Sequence, residues 1–243
     1  MNLSLAITTF NRYEFTIESF CQVIDDPRID DIIILDDCST DGSFEKLVRH
    51  FAGIEKVRVM RQLKNRGMSL NKRDAISFAR NEWVIIFDSD NVITPSFIDA
   101  FEKSRVLTES FGEVLEIDDP YYKIIYCPDF ASPRFNYLKY SGKIVNRENV
   151  KRVIKDEMGN CLLNTCNCII NRDEYLRVYK PNHEMIATDT IWMNYLWLNA
   201  GNWFYVVPDM QYFHRVHPGS GFLEDAAYNM KQAEKIKKMI MAL

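Results

Sequence analysis

Leu3 to Thr8 is a short, mostly apolar run that reads as a buried strand. Tyr13, Ile17, Phe20, Cys21 and Ile24 then recur at helical spacing, which predicts a helix. Asp31-Ile-Ile-Ile-Leu35 is β-branched and apolar and predicts a second strand, and Ser39-Thr-Asp-Gly-Ser43 has turn and cap chemistry. Phe44, Leu47, Val48 and Phe51 mark the next helical face, and Val57 to Met60 a third strand. Asn65-Arg-Gly67 predicts a turn, Ser69 to Arg80 a helix, and Trp83-Val-Ile-Ile-Phe87 a strand apolar enough to be buried on both faces. Thr94-Pro95 is an N-cap followed by proline at the first helical position, with the helix reaching to about Arg105.

Strand–helix alternation of this kind argues for an α/β fold with a parallel sheet flanked by helices. In such sheets ligands sit beyond the carboxyl ends of the strands. Three of the four strand ends deliver polar or acidic groups: Thr8-Thr9-Phe10-Asn11, Asp36-Asp37 and Asp88-Ser89-Asp90-Asn91. After about residue 110 the pattern loosens. Asp118-Asp-Pro120 and Pro128-Asp129 punctuate a strand from Lys123 to Cys127, and residues 130–160 read as polar and irregular. Cys161 to Asn171 and Trp203 to Val207 are strand candidates, and Asp189 to Asn199 is a helix candidate. From Asp225 a tail helix carries Met230, Ala233, Ile236, Ile240 and Leu243 on one face and four lysines elsewhere.

Composition narrows the classes. Of 243 residues, 47% are hydrophobic and 26% charged, an ordinary globular balance. Thirty basic against 34 acidic residues give a net charge of −4, which disfavours a nucleic-acid binder working through bulk charge. No apolar run approaches the roughly 20 residues that cross a bilayer. Met1-Asn2-Leu3-Ser4-Leu5 lacks a signal-peptide pattern, so the expected location is cytoplasmic, with peripheral membrane contact left open. The six cysteines include no CxxC pair and read as reduced thiols. No GxGxxG follows the first strand and no GxxxxGK[ST] occurs, which disfavours a dinucleotide-binding Rossmann domain and a P-loop NTPase.

Asp88-Ser89-Asp90 places two carboxylates two residues apart after a buried strand; in extended backbone both point the same way. Convergent oxygens of this kind suit Mg²⁺ or Mn²⁺ shared with a phosphate-bearing ligand. A solvated acidic turn is the bland alternative. Asp36-Asp37 likewise reads either as a helix cap or as a carboxylate for a base or ribose.

Together LAITTFNR (5–12), IIILDDCSTDGS (32–43), NRGMSLNKRDAI (65–76) and WVIIFDSDN (83–91) followed by TPSF (94–97) resemble the inverting glycosyltransferases of family 2, which have the GT-A fold. The resemblance implies a mostly parallel, Rossmann-like nucleotide-binding sheet with a smaller mixed-strand acceptor half. It implies donor-binding roles for Thr8, Asn11, Asp36, Asp37, Lys72, Asp88 and Arg215, with Asp37 at the base and Asp88 toward the ribose. It implies metal ligation by Asp90, Asp88 and His217, with Mn²⁺ or Mg²⁺ as cofactor. Where the family shows Ala-Arg-Asn this chain has Asn71-Lys72-Arg73, and it has Ala75 where the family has glycine; Lys72 keeps the positive charge.

The family carries its general base in an acidic dipeptide before a hydrophobic helix, about 100 residues after the DxD. Here Asp189 follows Asp90 by 99 residues and is the implied base, with Glu184 as competitor and an N-terminal cap as the alternative role. Tyr212 to Ser220 resembles the family's closing loop, with Gly219 and Gly221 letting it close. Asn164, Cys166, Asn167 and Cys168 are expected to wall the acceptor site, and an exposed aromatic among Trp192, Tyr195, Trp197 and Trp203 could serve as a sugar platform.

The expected activity is metal-dependent, inverting transfer from a nucleotide-sugar donor, UDP-linked, to a glycan or lipid-linked acceptor, as in cell-surface polysaccharide synthesis. A non-catalytic nucleotide-sugar or glycan-binding module and a sugar-phosphate nucleotidyltransferase are the alternatives. The expected organisation is a donor half over 1–108, an acceptor and catalytic half over 109–224, the two forming one compact domain, and a tail helix over 225–243. The tail either docks on protein, this chain or a second copy, or lies on an anionic membrane.

Overall fold

The computed structural model describes residues 1–115, 121–182, 188–217 and 226–243, and over 107–115 the backbone alone. Where apolar runs are continuous the chain makes four strands: β1 (Leu3–Thr9), β2 (Ile29–Asp36), β3 (Val57–Arg61) and β4 (Trp83–Asp88). The helices α1 (Tyr13–Phe20), α2 (Ser43–His50) and α3 (Met68–Ser77) join them. All four strands are parallel, in the order β3-β2-β1-β4. The chain builds outward from β1 to β3, then crosses back to lay β4 on the other side of β1. That reversal opens a crevice at the carboxyl ends. The register sets Thr8 beside both Leu35 and Asp88, so three polar strand ends meet at one edge.

The second half extends the same sheet. After α4 (Pro95–Leu115) come β5 (Ile124–Ser132), β6 (Phe135–Asn136), β7 (Ile144–Val145), α5 (Val150–Val153), α6 (Glu157–Leu162) and β8 (Cys168–Asn171). They are followed by α7 (Arg172–Val178), α8 (Asp189–Asn199), β9 (Trp203–Phe213) and α9 (Ala226–Ala242). Among the described residues nine strands form one sheet, ordered β3-β2-β1-β4-β8-β5-β9-β7 with β6 on β5. β8 runs antiparallel to β4 and β5, and β9 parallel to β5. One core, from Leu3 to Ile240, runs through both halves. Residue 108 falls inside α4.

Several elements differ from the sequence expectation. The run from Cys161 to Asn171 is a strand only from Cys168. Before it, the Asp156 carboxylate accepts the Gly159 amide at 3.1 Å and caps α6, which ends at Leu162. The segment 130–160 is not irregular; it holds β6, β7 and two short helices. Helix α4 runs ten residues past Arg105, and α7 carries no apolar stripe long enough to announce it. Residues 89–91 form a turn, so the extended-backbone argument for Asp88 and Asp90 pointing together fails. In α9, Ile236 and Ile240 are fully buried and the helix packs on α8 and α5, whereas Met230 is 61% exposed and leaves the expected face. No described helix is long and apolar enough to cross a membrane. Glu184, Gly219, Ser220, Gly221, Asp225 and the punctuation at 118–120 lie outside the described residues.

Candidate active site

The sheet edge is shaped first by backbone. Asn11 takes a positive φ of 53°, its side-chain oxygen accepts the Thr40 amide at 2.8 Å, and its own amide donates to Ser39 Oγ at 2.8 Å. This ties the loop after β1 to the loop after β2. Asp36 is fully buried; it accepts the Ser39 amide and hydroxyl and lies 3.6 Å from Arg61. Its carboxylate therefore holds the turn. Asp37 accepts the backbone amides of Arg66 and Gly67 at 2.8 and 2.9 Å, which pins the turn entering α3. Burial pushes the Asp37 carboxyl up, against the opposing pull of those two amides. Thr8 stays partly exposed at the end of β1.

Two clusters then divide the DxD. In the first, Lys72 of α3 is buried with its ammonium 3.6 Å from Asp88 and 3.4 Å from Asp189. Burial alone depresses the ammonium, but Asp189 foremost, with Cys166, Asp88 and Tyr175 after it, outweighs burial and holds its pKa well above the ordinary lysine value. The Cys166 thiol donates to the other oxygen of Asp88, and Asn167 accepts the Asp88 amide at 2.8 Å. Burial and the neighbouring Asp88 push that thiol well up, so it stays protonated. Asp189 opens α8 and is 6% exposed, where the helix N-terminus favours a carboxylate.

In the second cluster one oxygen of Asp90 meets two cationic or potentially cationic groups. Arg12 Nη1 lies 3.1 Å from it and His217 Nε2 3.0 Å. His217 is brought there by pairing along the preceding chain: Val92 and Phe213 exchange backbone hydrogen bonds, and the Arg215 amide donates to Asn91 Oδ1 at 3.1 Å. The Phe15 ring anchors the same segment, 4.6 Å from the Arg215 guanidinium and 4.9 Å from the His217 ring. Arg215 is turned toward α1 and pairs with Glu18 at 2.8 Å.

Sequence reading placed Asp88, Asp189 and Lys72 separately and missed that one lysine joins them. It missed the contact of Cys166 with Asp88 and gave Arg12 no role, although Arg12 directly follows the strand-end asparagine. Asn164 is exposed, while Asn167 and Cys168 are buried. Among the aromatics, Trp197 is fully buried in the core, while Trp192 is partly exposed beside Tyr195, ring centroids 5.6 Å apart.

Among the described residues no group of three or more His, Cys, Asp or Glu side chains lies close enough to hold a metal. A hard octahedral ion needs only one or two carboxylates when phosphate and water complete its shell. Asp90 and His217 bring a carboxylate oxygen and an imidazole nitrogen together in a hydrogen-bond contact of 3.0 Å, and donors of these types fit a Mn²⁺ or Mg²⁺ ion whose other ligands are phosphate and water.

The model of the family described as glycosyl transferase family 2 matches residues 4–127. No curated protein matches the chain by sequence. Among solved structures, Staphylococcus aureus TarS 1-349 in complex with UDP superposes with a TM-score of 0.65 at 19% identity, covering 100% of this chain and 70% of that one. TarS 1-349 in complex with UDP-GlcNAc gives 0.66 at 16% identity, covering 100% and 71%. A mannosyltransferase from Pyrobaculum calidifontis, in complex with GDP-Man and Mn²⁺, gives 0.65 at 15% identity, covering 99% and 68%. Against a longer TarS structure the chain spans 42% of the length. At these identities the likeness establishes the fold, which is GT-A.

Proposed function

The chain belongs to glycosyl transferase family 2, and from that premise we propose that this glycosyltransferase moves a sugar, with inversion, from a UDP-linked donor to a hydroxyl of a glycan or lipid-linked saccharide. The observation that carries the reading is the bridge from Asp88 through Lys72 to Asp189. It sets a strand-end carboxylate on the donor side and a helix-opening carboxylate on the acceptor side of one buried cation. Asp189 takes the proton of the attacking hydroxyl, and the Lys72 ammonium 3.4 Å away orients it. Attack comes from the face opposite the diphosphate, so no covalent enzyme intermediate forms.

Asp90 and His217 would hold Mn²⁺ or Mg²⁺, which supplies positive charge to the departing diphosphate when bound. Thr8, Asn11 and Asp37 border the nucleoside end, and Asp88 the ribose. Asp36 acts through the turn that it holds. Arg215 acts through the 213–217 segment that it anchors, because its guanidinium is engaged by Glu18. The partly exposed Trp192–Tyr195 pair suits the apolar face of an acceptor sugar.

Uridine and guanosine donors accompany different structural neighbours, so the base is read directly by thermal melting with UDP- and GDP-sugars, with and without Mn²⁺. The reading expects the largest rise from a UDP-sugar with Mn²⁺. NMR of donor hydrolysis should then show the first-formed sugar with the anomeric configuration opposite to that of the donor. No rise with any nucleotide-sugar, or a product of retained configuration, would overturn it.

A further inference from the structure

Sequence reading sets Cys166 and Asn167 in the acceptor wall, yet both engage Asp88, the first carboxylate of the DxD. β8 runs antiparallel to β4 with Cys168 opposite Ile86, and the same register carried two residues further sets Cys166 opposite Asp88. The Asn167 side-chain oxygen accepts the Asp88 amide at 2.8 Å, and Asn167, itself buried, is hydrogen-bonded to the Tyr212 hydroxyl from β9. The Asp88 carbonyl accepts the Asn91 amide at 3.1 Å. Both backbone groups of Asp88 are thereby held, one of them from the second half of the chain.

The side chain is held differently. The terminal torsion of an aspartate is broad, so a carboxylate keeps one angle only where a directional partner sets it. The Lys72 ammonium stands 3.6 Å from one oxygen, too far for a hydrogen bond, and is nearer to Asp189 at 3.4 Å. Its attraction steadies the charge of Asp88 without fixing an angle. The Cys166 thiol, on the other oxygen, is the one side-chain hydrogen-bond donor to Asp88 among the described residues. We propose that Cys166 is a positioning residue: its thiol sets the angle at which Asp88 meets the ribose of the donor. The inference rests on the ribose role of Asp88 given above. A thiol suits the task. It is a weak donor, and a carboxylate has about four lone-pair sites, so Asp88 keeps both charge and capacity for the ribose hydroxyls.

The test is calorimetric titration of the whole chain with UDP, 2′-deoxy-UDP and 3′-deoxy-UDP at one fixed Mn²⁺ concentration. Wild type is expected to bind UDP more tightly than at least one of the two analogues. Cys166→Ala should shrink that preference about threefold to tenfold, the usual worth of one hydrogen bond, and leave affinity for the disfavoured analogue unchanged. Loss of structure alone would weaken UDP and analogue alike and keep their ratio. Cys166→Ser, which keeps a donor, should restore most of the preference. Circular dichroism melting identifies a variant that has failed to fold; Cys166→Val, similar in size and without a donor, then carries the comparison. An unchanged preference in the folded donor-less variant, or a Cys166→Ser chain that behaves like it, would overturn the role of Cys166. A wild type that binds UDP without favouring it over either analogue would instead sink the ribose role of Asp88, and one that binds no UDP the donor reading itself.

Discussion

Asp88 and Asp90 lie two residues apart, yet they stand in different surroundings. Asp88 ends a buried strand, and its side chain meets a buried ammonium and a partly buried thiol. Asp90 sits past a turn and meets an arginine and a histidine delivered by segments that pack together only in the folded chain. The lysine-bridged side is rigid: Lys72 projects from a helix packed on β1, β2 and β4, and Asp189 from the first turn of another. The arginine–histidine side is built from a helix start and a chain segment zipped onto Val92. The two carboxylates of the DxD therefore stand in separate electrostatic surroundings, one beside a lysine and a thiol, the other beside an arginine and a histidine.

The largest effect should come from the lysine-bridged side. Asp189→Asn keeps the shape and can still accept from Lys72, but it cannot take a proton. Transfer should fall about 10²–10⁴-fold, the usual contribution of a general base. A turnover assay within a few-fold of wild type would show that the bridge serves structure and that another residue is the base.

Lys72→Met should come next. It leaves Asp88 and Asp189 without their shared cation, and breaking a buried pair in this way costs about 3–5 kcal/mol. Urea unfolding measures it; a loss below about 1 kcal/mol would mean that water or Cys166 compensates.

A smaller loss is expected in α6. At Gly159 an added Cβ would lie 2.1 Å from the Val153 carbonyl oxygen and 2.8 Å from the Tyr140 hydroxyl. Gly159→Ala should cost about 1–3 kcal/mol by overpacking while leaving UDP binding intact. Altered UDP affinity in that variant would mean that α6 is coupled to the site.

The smallest effect concerns pH. Lys139, then Tyr140 and the Gly159 amide, lower the Asp156 carboxyl from its ordinary value of 3.8 to about 2. A carboxyl lowered on folding stabilises the protein above its unfolded value, and this is lost as pH falls through the folded one. The gap in melting temperature between wild type and Asp156→Asn should therefore narrow between pH 4 and about pH 2. A gap that stays constant over that range would place the stabilisation elsewhere.

Elements with local signals were legible in both halves of the chain. Trp83 to Phe87 is continuous apolar sequence in the first half, and in the second Asp189 to Asn199 appears with the bounds that periodicity predicts. Strand ends locate a site once the sheet is parallel. What stayed hidden is tertiary. Nothing near Lys72 in sequence says that it reaches Asp189, which lies on a different helix, and nothing near Arg12 points to Asp90, 78 residues away. Cys161 to Asn171 misled because the apolar end of a short capped helix, Cys161 to Leu163, runs toward a strand without a break that the sequence marks, and β8 needs its partners β4 and β5 to define where it begins. Asp36 and Asp37 look equivalent and both are buried; only their partners separate them, Asp36 bracing the turn at Ser39 and Asp37 the turn at Arg66 and Gly67.

The division of the DxD is tested most directly by calorimetric titration of UDP, with and without Mn²⁺, into Asp90→Ala and Asp189→Asn. The account predicts that Asp189→Asn binds UDP with wild-type metal dependence, whereas Asp90→Ala binds it weakly and indifferently to Mn²⁺. Equal metal dependence in the two variants would contradict it.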